Sequence, residues 1–118
     1  MSEITDLETR LTEFEAYLKS LDRSQHSIRA YLSDLRLFAQ WFEAHAGEGF
    51  AIKNVLDDDI KSWRNEMENK QKASTVNRKL ASLSAFYAWA VENKYAANDP
   101  TRHIHGLGQQ MIAPKALS

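Results

Sequence analysis

The sequence predicts a single all-α domain of four helices. Of its 118 residues, 43% are apolar and 26% are charged, which is the balance of an ordinary folded domain. It contains only four glycines and two prolines, and both prolines come late, at Pro100 and Pro114. Since glycine and proline are the residues that most often interrupt helices, a chain with so few of them before Pro100 is expected to be helical.

The first helix is predicted over Asp6–Leu21. Thr5 and Glu8 match the S/T-x-x-E pattern of a capping box, in which each side chain accepts a hydrogen bond from the other residue's backbone N–H. Glu8 and Glu15 make one flank of this helix acidic. Its apolar stripe follows helical spacing and consists of Leu7, Leu11, Phe14, Leu18 and Leu21.

The second helix is predicted over Gln25–His45. Ser24 is the expected N-cap, and Gly47 and Gly49 are expected to end the helix. The apolar stripe consists of Ile28, Tyr31, Leu32, Leu35, Phe38, Ala39 and Phe42. Another face carries Arg29, Ser33, Arg36 and Gln40. This helix is therefore expected to bury one side and expose a polar side.

The third helix is predicted over Asp58–Asn69, after a connector at Phe50–Leu56. Asp57 is its expected cap, and the carboxylates of Asp58 and Asp59 favour the positive end of the helix dipole. The connector is expected to place Phe50, Ile52 and Val55 in the core. The inward face of the helix is predicted to be Ile60, Trp63 and Met67.

The fourth helix is predicted over Ser74–Asn93, and it carries two stripes at helical spacing. The apolar stripe is Val76, Leu80, Leu83 and Tyr87, and the polar stripe is Thr75, Arg78, Lys79 and Ser82. No acidic residue occurs between Glu68 and Glu92. Phe86 and Trp89 continue the polar stripe, and at this spacing they are expected to be core residues rather than a docking surface.

The pattern fades after the fourth helix, so residues 1–97 are predicted to form the helical domain and residues 98–118 a tail or linker. The Asn98–Pro100 segment is expected to be a turn.

Charge is distributed unevenly along the chain, although the net charge is only −1. Residues 1–21 carry five acids and two bases, and residues 47–69 carry six acids and three bases. Residues 70–95 reverse this balance, with five bases and one acid. A folded molecule with one cationic side suits a polyanion, and DNA is the common one.

Several classes of function have no support in the sequence. The chain has no cysteine, which excludes disulfides, cysteine-based zinc sites and thiol catalysis, and it has no glycine-rich phosphate loop. Asp57–Asp59 is a helix start more readily than a cation site, and His103 and His105 lack a third metal ligand. We expect no metal and no cofactor. With no apolar run of about 20 residues and no signal peptide, the protein is expected to be cytoplasmic and not to associate with a membrane.

Three segments in order carry a resemblance to a known family. Ser24–Trp41 reads SxxSxxxYxxDLxxFxxW, Ser74–Leu80 reads STVNRKL, and Asn98–Pro100 stands at the domain exit. Over residues 7–118 the chain resembles the N-terminal core-binding domain of tyrosine recombinases, the phage integrases, especially the Xer type. That family usually has Thr at the position of Ser27 and Asn-Pro at the exit. Residues 114–118 resemble the linker to its catalytic domain.

The resemblance implies a four-helix SAM-like bundle that, with a separate catalytic domain, forms a C-shaped clamp around a DNA half-site. Helices 2 and 4 would face the major groove. Lysines on this surface suit phosphates, Arg78 suits a guanine or a phosphate, and hydroxyls at helix N-termini suit phosphates. We expect Arg29 and Arg78 to face the same side. The candidate DNA contacts are Ser27, Arg29, Lys70, Lys72, Ser74, Thr75, Arg78, Lys79 and Ser82.

The family's catalytic residues belong to its C-terminal domain, so this chain is not expected to cut or join DNA alone. None of its four tyrosines, Tyr17, Tyr31, Tyr87 and Tyr95, has the required context. Whether the chain is an excised domain or a naturally truncated one stays open. The expected partners are double-stranded DNA and other recombinase protomers on DNA, and the chain is expected to be monomeric without DNA. The alternative is a helical adaptor for an acidic protein.

Overall fold

The computed structural model describes residues 3–104, and side chains from Leu7 onward. It contains four α-helices, α1 (Glu3–Ser20), α2 (Gln25–Ala46), α3 (Asp57–Glu68) and α4 (Ala73–Glu92), and one 3-10 turn at Ile52–Asn54. Residues 3–104 contain no strand. The all-α prediction is confirmed.

The ends of α2 follow the predicted capping chemistry. The Ser24 side chain accepts a hydrogen bond from the backbone N–H of Ser27 at 3.0 Å. Gly47 closes the helix at a φ of 74°, a left-handed conformation in which glycine has no Cβ penalty, and its N–H donates to the carbonyl of Glu43. Both ends of α2 are therefore specified by single residues.

Two predicted helix starts are wrong. The first helix already includes Glu3, so Thr5 lies inside α1 and is not its N-cap. The third helix begins at Asp57, with Leu56 as N-cap, because the Asp59 carboxylate accepts a hydrogen bond from the Leu56 N–H at 2.9 Å. An acid at the third helical position thus fixes the start one residue earlier than predicted.

The core lies where α1, α2 and α4 meet, and Phe14 of α1 is at its centre. Its ring makes an edge contact with Phe86 at 5.3 Å between centroids and lies at the same distance from Trp89. Phe86 and Trp89 are buried, which confirms their assignment to the core. Leu21 was predicted in the stripe of the first helix but lies beyond its end and is 46% exposed.

The other helices surround α2, which contacts all three. Phe14 packs against both Tyr31 of α2 and Phe86 of α4, so the first half of α2 lies beside the second half of α4. The Trp41 indole N–H donates to Glu66 near the end of α3, where α4 is about to begin. These contacts make α2 and α4 antiparallel neighbours.

Part of the predicted tail packs on the bundle. The Asp99 carboxylate accepts hydrogen bonds from the N–H and the hydroxyl of Thr101, at 2.8 and 2.6 Å. The turn covers residues 100–103 and overlaps the predicted turn at Pro100. Pro100, Thr101 and Ile104 are buried. The packing of the bundle therefore extends beyond residue 97, the predicted limit of the helical domain. Residues 105–118 lie outside the described part of the chain.

Candidate nucleic-acid interface

A groove of about 170 Å³ runs between α2 and α4. Its α2 wall is Ser27, Ala30 and Tyr31, and its α4 wall is Arg78, Ala81 and Ser82. The alanines leave room at the surface between the two helices. The structure thus brings together two of the predicted contacts on α4 and one on α2, from segments far apart in sequence. We call this surface the α2/α4 groove.

Asp34 of α2 bonds two residues of this groove, Arg78 and Ser82, and is only 2% exposed. Its Oδ2 accepts hydrogen bonds from Arg78 Nη1 at 2.6 Å and from the Ser82 hydroxyl at 2.8 Å. A buried carboxylate is costly unless it is both paired and hydrogen-bonded, and these two donors meet that requirement. Asp34 was not among the predicted contact residues, although it lies in the segment that carries the family resemblance.

Arg78 is a cation in the lining of the groove, and its side chain is 49% exposed. Only its Nη1 atom bonds Asp34, while Nε and Nη2 have no hydrogen-bond partner within residues 7–104. One edge of the guanidinium is therefore fixed by the protein. The other edge keeps two donors in the fork geometry that matches paired acceptor atoms.

Ser82 was predicted to contact DNA, but its position does not fit that role. It is 2% exposed, and its hydroxyl donates to Asp34 and lies 3.3 Å from the carbonyl of Arg78. The spacing placed it correctly on the stripe of Arg78. The stripe, however, is wide enough that one of its edges packs against α2, which the sequence alone does not reveal.

The N-terminus of α4 is open. Lys72 occupies the N-cap position without a side-chain hydrogen bond, and neither Ser74 nor Thr75 makes a side-chain hydrogen bond within the described chain. The first N–H groups of a helix lack intrahelical acceptors and carry the positive end of the dipole. Two hydroxyls and several free donors are therefore concentrated at this helix end.

Lysines near α4 differ in their surroundings. Lys70 is 3.4 Å from Glu66, an exposed ion pair that is easily exchanged for another anion. Lys72 and Lys79 have no carboxylate within 4.0 Å among residues 7–104. Bonds from Trp41 and then Lys70 lower the pKa of Glu66, so this carboxylate stays ionised. Near the α4 N-terminus, Lys70 is therefore paired with an ionised carboxylate, whereas Lys72 and Lys79 are not paired among residues 7–104.

Arg29 lies outside the groove, although it was expected to share a surface with Arg78. In a helix, Arg29 lies about 140° around the axis from Asp34. It is exposed and shares a stripe with Arg36, seven residues later. Ser27, by contrast, faces α4, and its hydroxyl lies 3.1 Å from the Ser24 hydroxyl. The groove therefore contains Ser27 and not Arg29.

Arg36 faces the acidic flank of α1. Its Nε and Nη2 donate to the two carboxylate oxygens of Glu8, each at 2.8 Å. These hydrogen bonds hold the pKa of Glu8 below its usual range and raise the pKa of Arg36. The positive charge of Arg36 is thus balanced within the protein by Glu8.

Residues 7–104 contain no group of three His, Cys, Asp or Glu side chains that can hold a metal ion. His105, one member of the predicted histidine pair, lies outside the described residues. Within the described helices, none combines the length and the apolar character needed to cross a bilayer.

Comparison with known proteins places these features in context. The family model for the phage integrase N-terminal SAM-like domain matches residues 11–94. The tyrosine recombinase XerD of Ralstonia nicotianae is 33% identical over 95 residues, covering 80% of this chain and 30% of the relative. The tyrosine recombinase XerC of Mycobacterium tuberculosis is 32% identical over 109 residues, covering 91% of this chain and 36% of the relative.

A third relative, the tyrosine recombinase XerC of Roseiflexus castenholzii, is 28% identical over 111 residues, covering 90% of this chain and 35% of the relative. The chain thus spans about a third of the length of these recombinases. No solved structure matches the chain significantly.

Proposed function

Because this chain belongs to the family of phage integrase N-terminal SAM-like domains, we propose that it binds double-stranded DNA and grips a recombination half-site through α2 and α4. The observation that carries the proposal is the α2/α4 groove, where Arg78 has a free edge of two donors. A groove between two helices that is lined by an arginine suits contacts to base edges or phosphates of a DNA duplex.

The open N-terminus of α4 supports a phosphate contact at one end of the groove. Ser74 and Thr75 offer hydroxyls, Lys72 offers a charge, and the helix adds free N–H groups. Lys70 and Lys79 are further phosphate contacts in this proposal. Lys70 would exchange its exposed carboxylate partner for a phosphate at little cost.

Ser27 supports a contact at the other end. Since α2 and α4 are antiparallel and both Ser27 and Ser74 lie away from the Asp34–Arg78 pair, they are about 16 Å apart along the groove. This spread is enough to span a major groove about 12 Å wide. Arg29, outside the groove, would contact a flanking phosphate, and Ser82 would act only by supporting Asp34.

The family membership also supports inferences about DNA cleavage and about other protomers. We infer that the chain alone does not cut or join DNA, and that the catalytic residues come from another domain of a tyrosine recombinase. We also infer that it works beside other protomers on DNA and is monomeric without it. The adaptor alternative depends on an acidic first helix and on exposed aromatics, and it has less support because Phe86 and Trp89 of α4 are buried.

The experiment is duplex DNA binding by fluorescence anisotropy at several salt concentrations. If about four phosphates are contacted, log K should fall against log salt with a slope of about −3.6. The Lys72→Ala variant should reduce the slope by about 0.9, because one phosphate contact is lost. The matched control is Lys61→Ala on α3, an exposed lysine outside the groove, which should leave the slope unchanged.

Two results of the binding experiment would contradict the proposal. If the chain is not retained by duplex DNA or heparin even at low salt, the DNA-binding proposal is wrong. If it is retained but both lysine variants change the slope equally, the N-terminus of α4 is not the contact.

A further inference from the structure

We propose that Asp34 is a positioning residue for DNA binding, which holds Arg78 so that the free edge of its guanidinium meets a pair of acceptor atoms on the duplex. The inference rests on the proposed function and goes further, because it gives a buried acid a role on a DNA-binding surface. An acid beneath a polyanion site repels the ligand, so its presence there requires a reason.

The hydrogen bonds supply this reason. Arg78 reaches Asp34 through Nη1 alone, at 2.6 Å, and leaves Nε and Nη2 unpaired within the described chain. Those two atoms form one of the two edges through which a guanidinium can bind guanine O6 and N7, or two oxygens of a phosphate. The protein therefore holds the guanidinium through Nη1 and leaves its Nε–Nη2 edge available.

The carboxylate is itself held in place. Ser82 donates to the same Oδ2 atom at 2.8 Å, and Asp34 is almost completely buried between α2 and α4. A fixed acceptor restricts the rotamers of the long arginine side chain before DNA arrives. Less conformational entropy is then lost when the fork binds, which increases affinity through preorganisation.

The small neighbours fit this arrangement. Ala30 and Ala81 line the groove together with Arg78, and their small side chains occupy little space beside the guanidinium. A base edge or a phosphate can approach the free Nε–Nη2 edge from outside. Tyr31, the aromatic residue of the groove lining, is partly buried against the core and packs on Phe14.

Simple electrostatics and the positioning role predict opposite changes in DNA affinity for the Asp34→Asn variant. Asp34→Asn makes the chain more positive by one charge, so simple electrostatics predicts tighter binding to DNA. If Asp34 positions Arg78, the same change weakens binding, because the amide no longer holds the guanidinium by a charge-assisted bond. We expect the affinity to fall by about 5-fold or more, within the range of a lost bidentate contact.

The test is a double-mutant cycle on affinity for a duplex selected by the parent chain from a random pool. Arg78→Lys keeps the charge and the pairing with Asp34 but loses the fork, and should weaken binding by about 5- to 100-fold. Asp34→Asn should then cost no more than about 2-fold in the Arg78→Lys background, since there is no fork left to position. Lys61→Ala is the control and should bind as the parent does.

Thermal melting by circular dichroism accompanies each variant, so that affinities are compared between folded proteins. If Asp34→Asn is unfolded, Ser82→Ala takes its place, because it frees the carboxylate without burying an unpaired acid. It should weaken binding by about 2- to 5-fold, through the same loss of positioning.

Three results would contradict either the positioning role of Asp34 or the proposed DNA binding. If the folded Asp34→Asn variant, or Ser82→Ala in its place, binds as tightly as the parent or more tightly, the positioning role is wrong. The same holds if its cost is equal with and without Arg78. If the parent binds no duplex at all, the proposed function fails first.

The acceptor pair has two possible sources on DNA, and a further arm distinguishes them. Duplexes carrying 7-deazaguanine lack the N7 acceptor but keep every phosphate. A loss of parent affinity comparable to that of Arg78→Lys assigns the contact to guanine. Unchanged affinity assigns it to a phosphate, and both results agree with the positioning role of Asp34.

Discussion

Two arginine–carboxylate pairs, one on each side of α2, have opposite consequences for this surface. On the α1 side, Arg36 uses its Nε–Nη2 edge to hold both oxygens of Glu8. On the α4 side, Arg78 uses Nη1 to hold one oxygen of Asp34, and its Nε–Nη2 edge stays free. The first pair is half-exposed on both partners, whereas the carboxylate of the second is buried.

The difference teaches that an ion pair does not by itself remove an arginine from binding. What matters is which edge of the guanidinium the protein occupies. Arg36 has its Nε–Nη2 edge filled, so a ligand that uses this edge would have to displace Glu8. Arg78 is oriented by its pair and still has its Nε–Nη2 edge to offer.

The largest expected difference between the two pairs is in stability. Arg78→Ala should lower the free energy of unfolding by about 2–3 kcal/mol, because it leaves the buried Asp34 with Ser82 as its main donor. Arg36→Ala should cost less than about 1 kcal/mol, since its partner Glu8 is hydrated when released. Urea unfolding followed by circular dichroism measures both. Equal losses in the free energy of unfolding would contradict the view that the buried Asp34 carboxylate needs Arg78 as a partner.

The next difference is in DNA affinity. Arg78→Ala should weaken duplex binding by about 1–3 kcal/mol, while Arg36→Ala serves as the matched control and should change it little, because its charge is already balanced by Glu8. Titrations below the melting temperature of both variants keep folding out of the comparison. If Arg78→Ala combined with Lys79→Ala leaves affinity and salt slope unchanged, α4 is not part of the DNA interface.

The smallest effect concerns pH and the Glu8 pair. The pKa of Glu8 is lower in the folded protein than its ordinary value of 4.5, because Arg36 hydrogen-bonds the ionised form. Its stabilising contribution is therefore fully present above about pH 4.5 and is lost as the pH falls through the folded pKa. Glu8→Gln should lower stability by less than about 1 kcal/mol at pH 7.

This difference from the parent should disappear in strong acid. Urea unfolding at a series of pH values between 7 and about 2 measures it. A difference that persists undiminished at the acid end would mean that Glu8 stabilises the fold by packing rather than by its charge.

The sequence was sufficient to predict the helices and their inward faces. Periodicity fixes which residues of a helix share a side, so the buried stripe from Val76 to Tyr87 was predicted correctly. The ends of α2 at Ser24 and Gly47 were also predicted correctly, because serine and glycine are typical capping residues. The exact starts of the first and third helices were not, because several residues near each end are compatible with a cap.

The groove was only partly predictable. The stripe of Thr75, Arg78 and Ser82 is a property of α4 alone, and the sequence identified it. It did not reveal that Ser82 is covered by α2, or that residues after the predicted limit at residue 97, such as Ile104, pack on the bundle. Each of these depends on a neighbour that local spacing does not specify.

By itself, the sequence determined four amphipathic helices, their charge distribution and the resemblance to a recombinase domain. Only the tertiary structure decided that Asp34 meets Arg78 across 44 positions of the chain, and that Arg29 lies outside the groove they form. The physical reason is that helical periodicity orients side chains about their own axis, within a few turns. Which helix lies against a given side is decided by packing of the whole core.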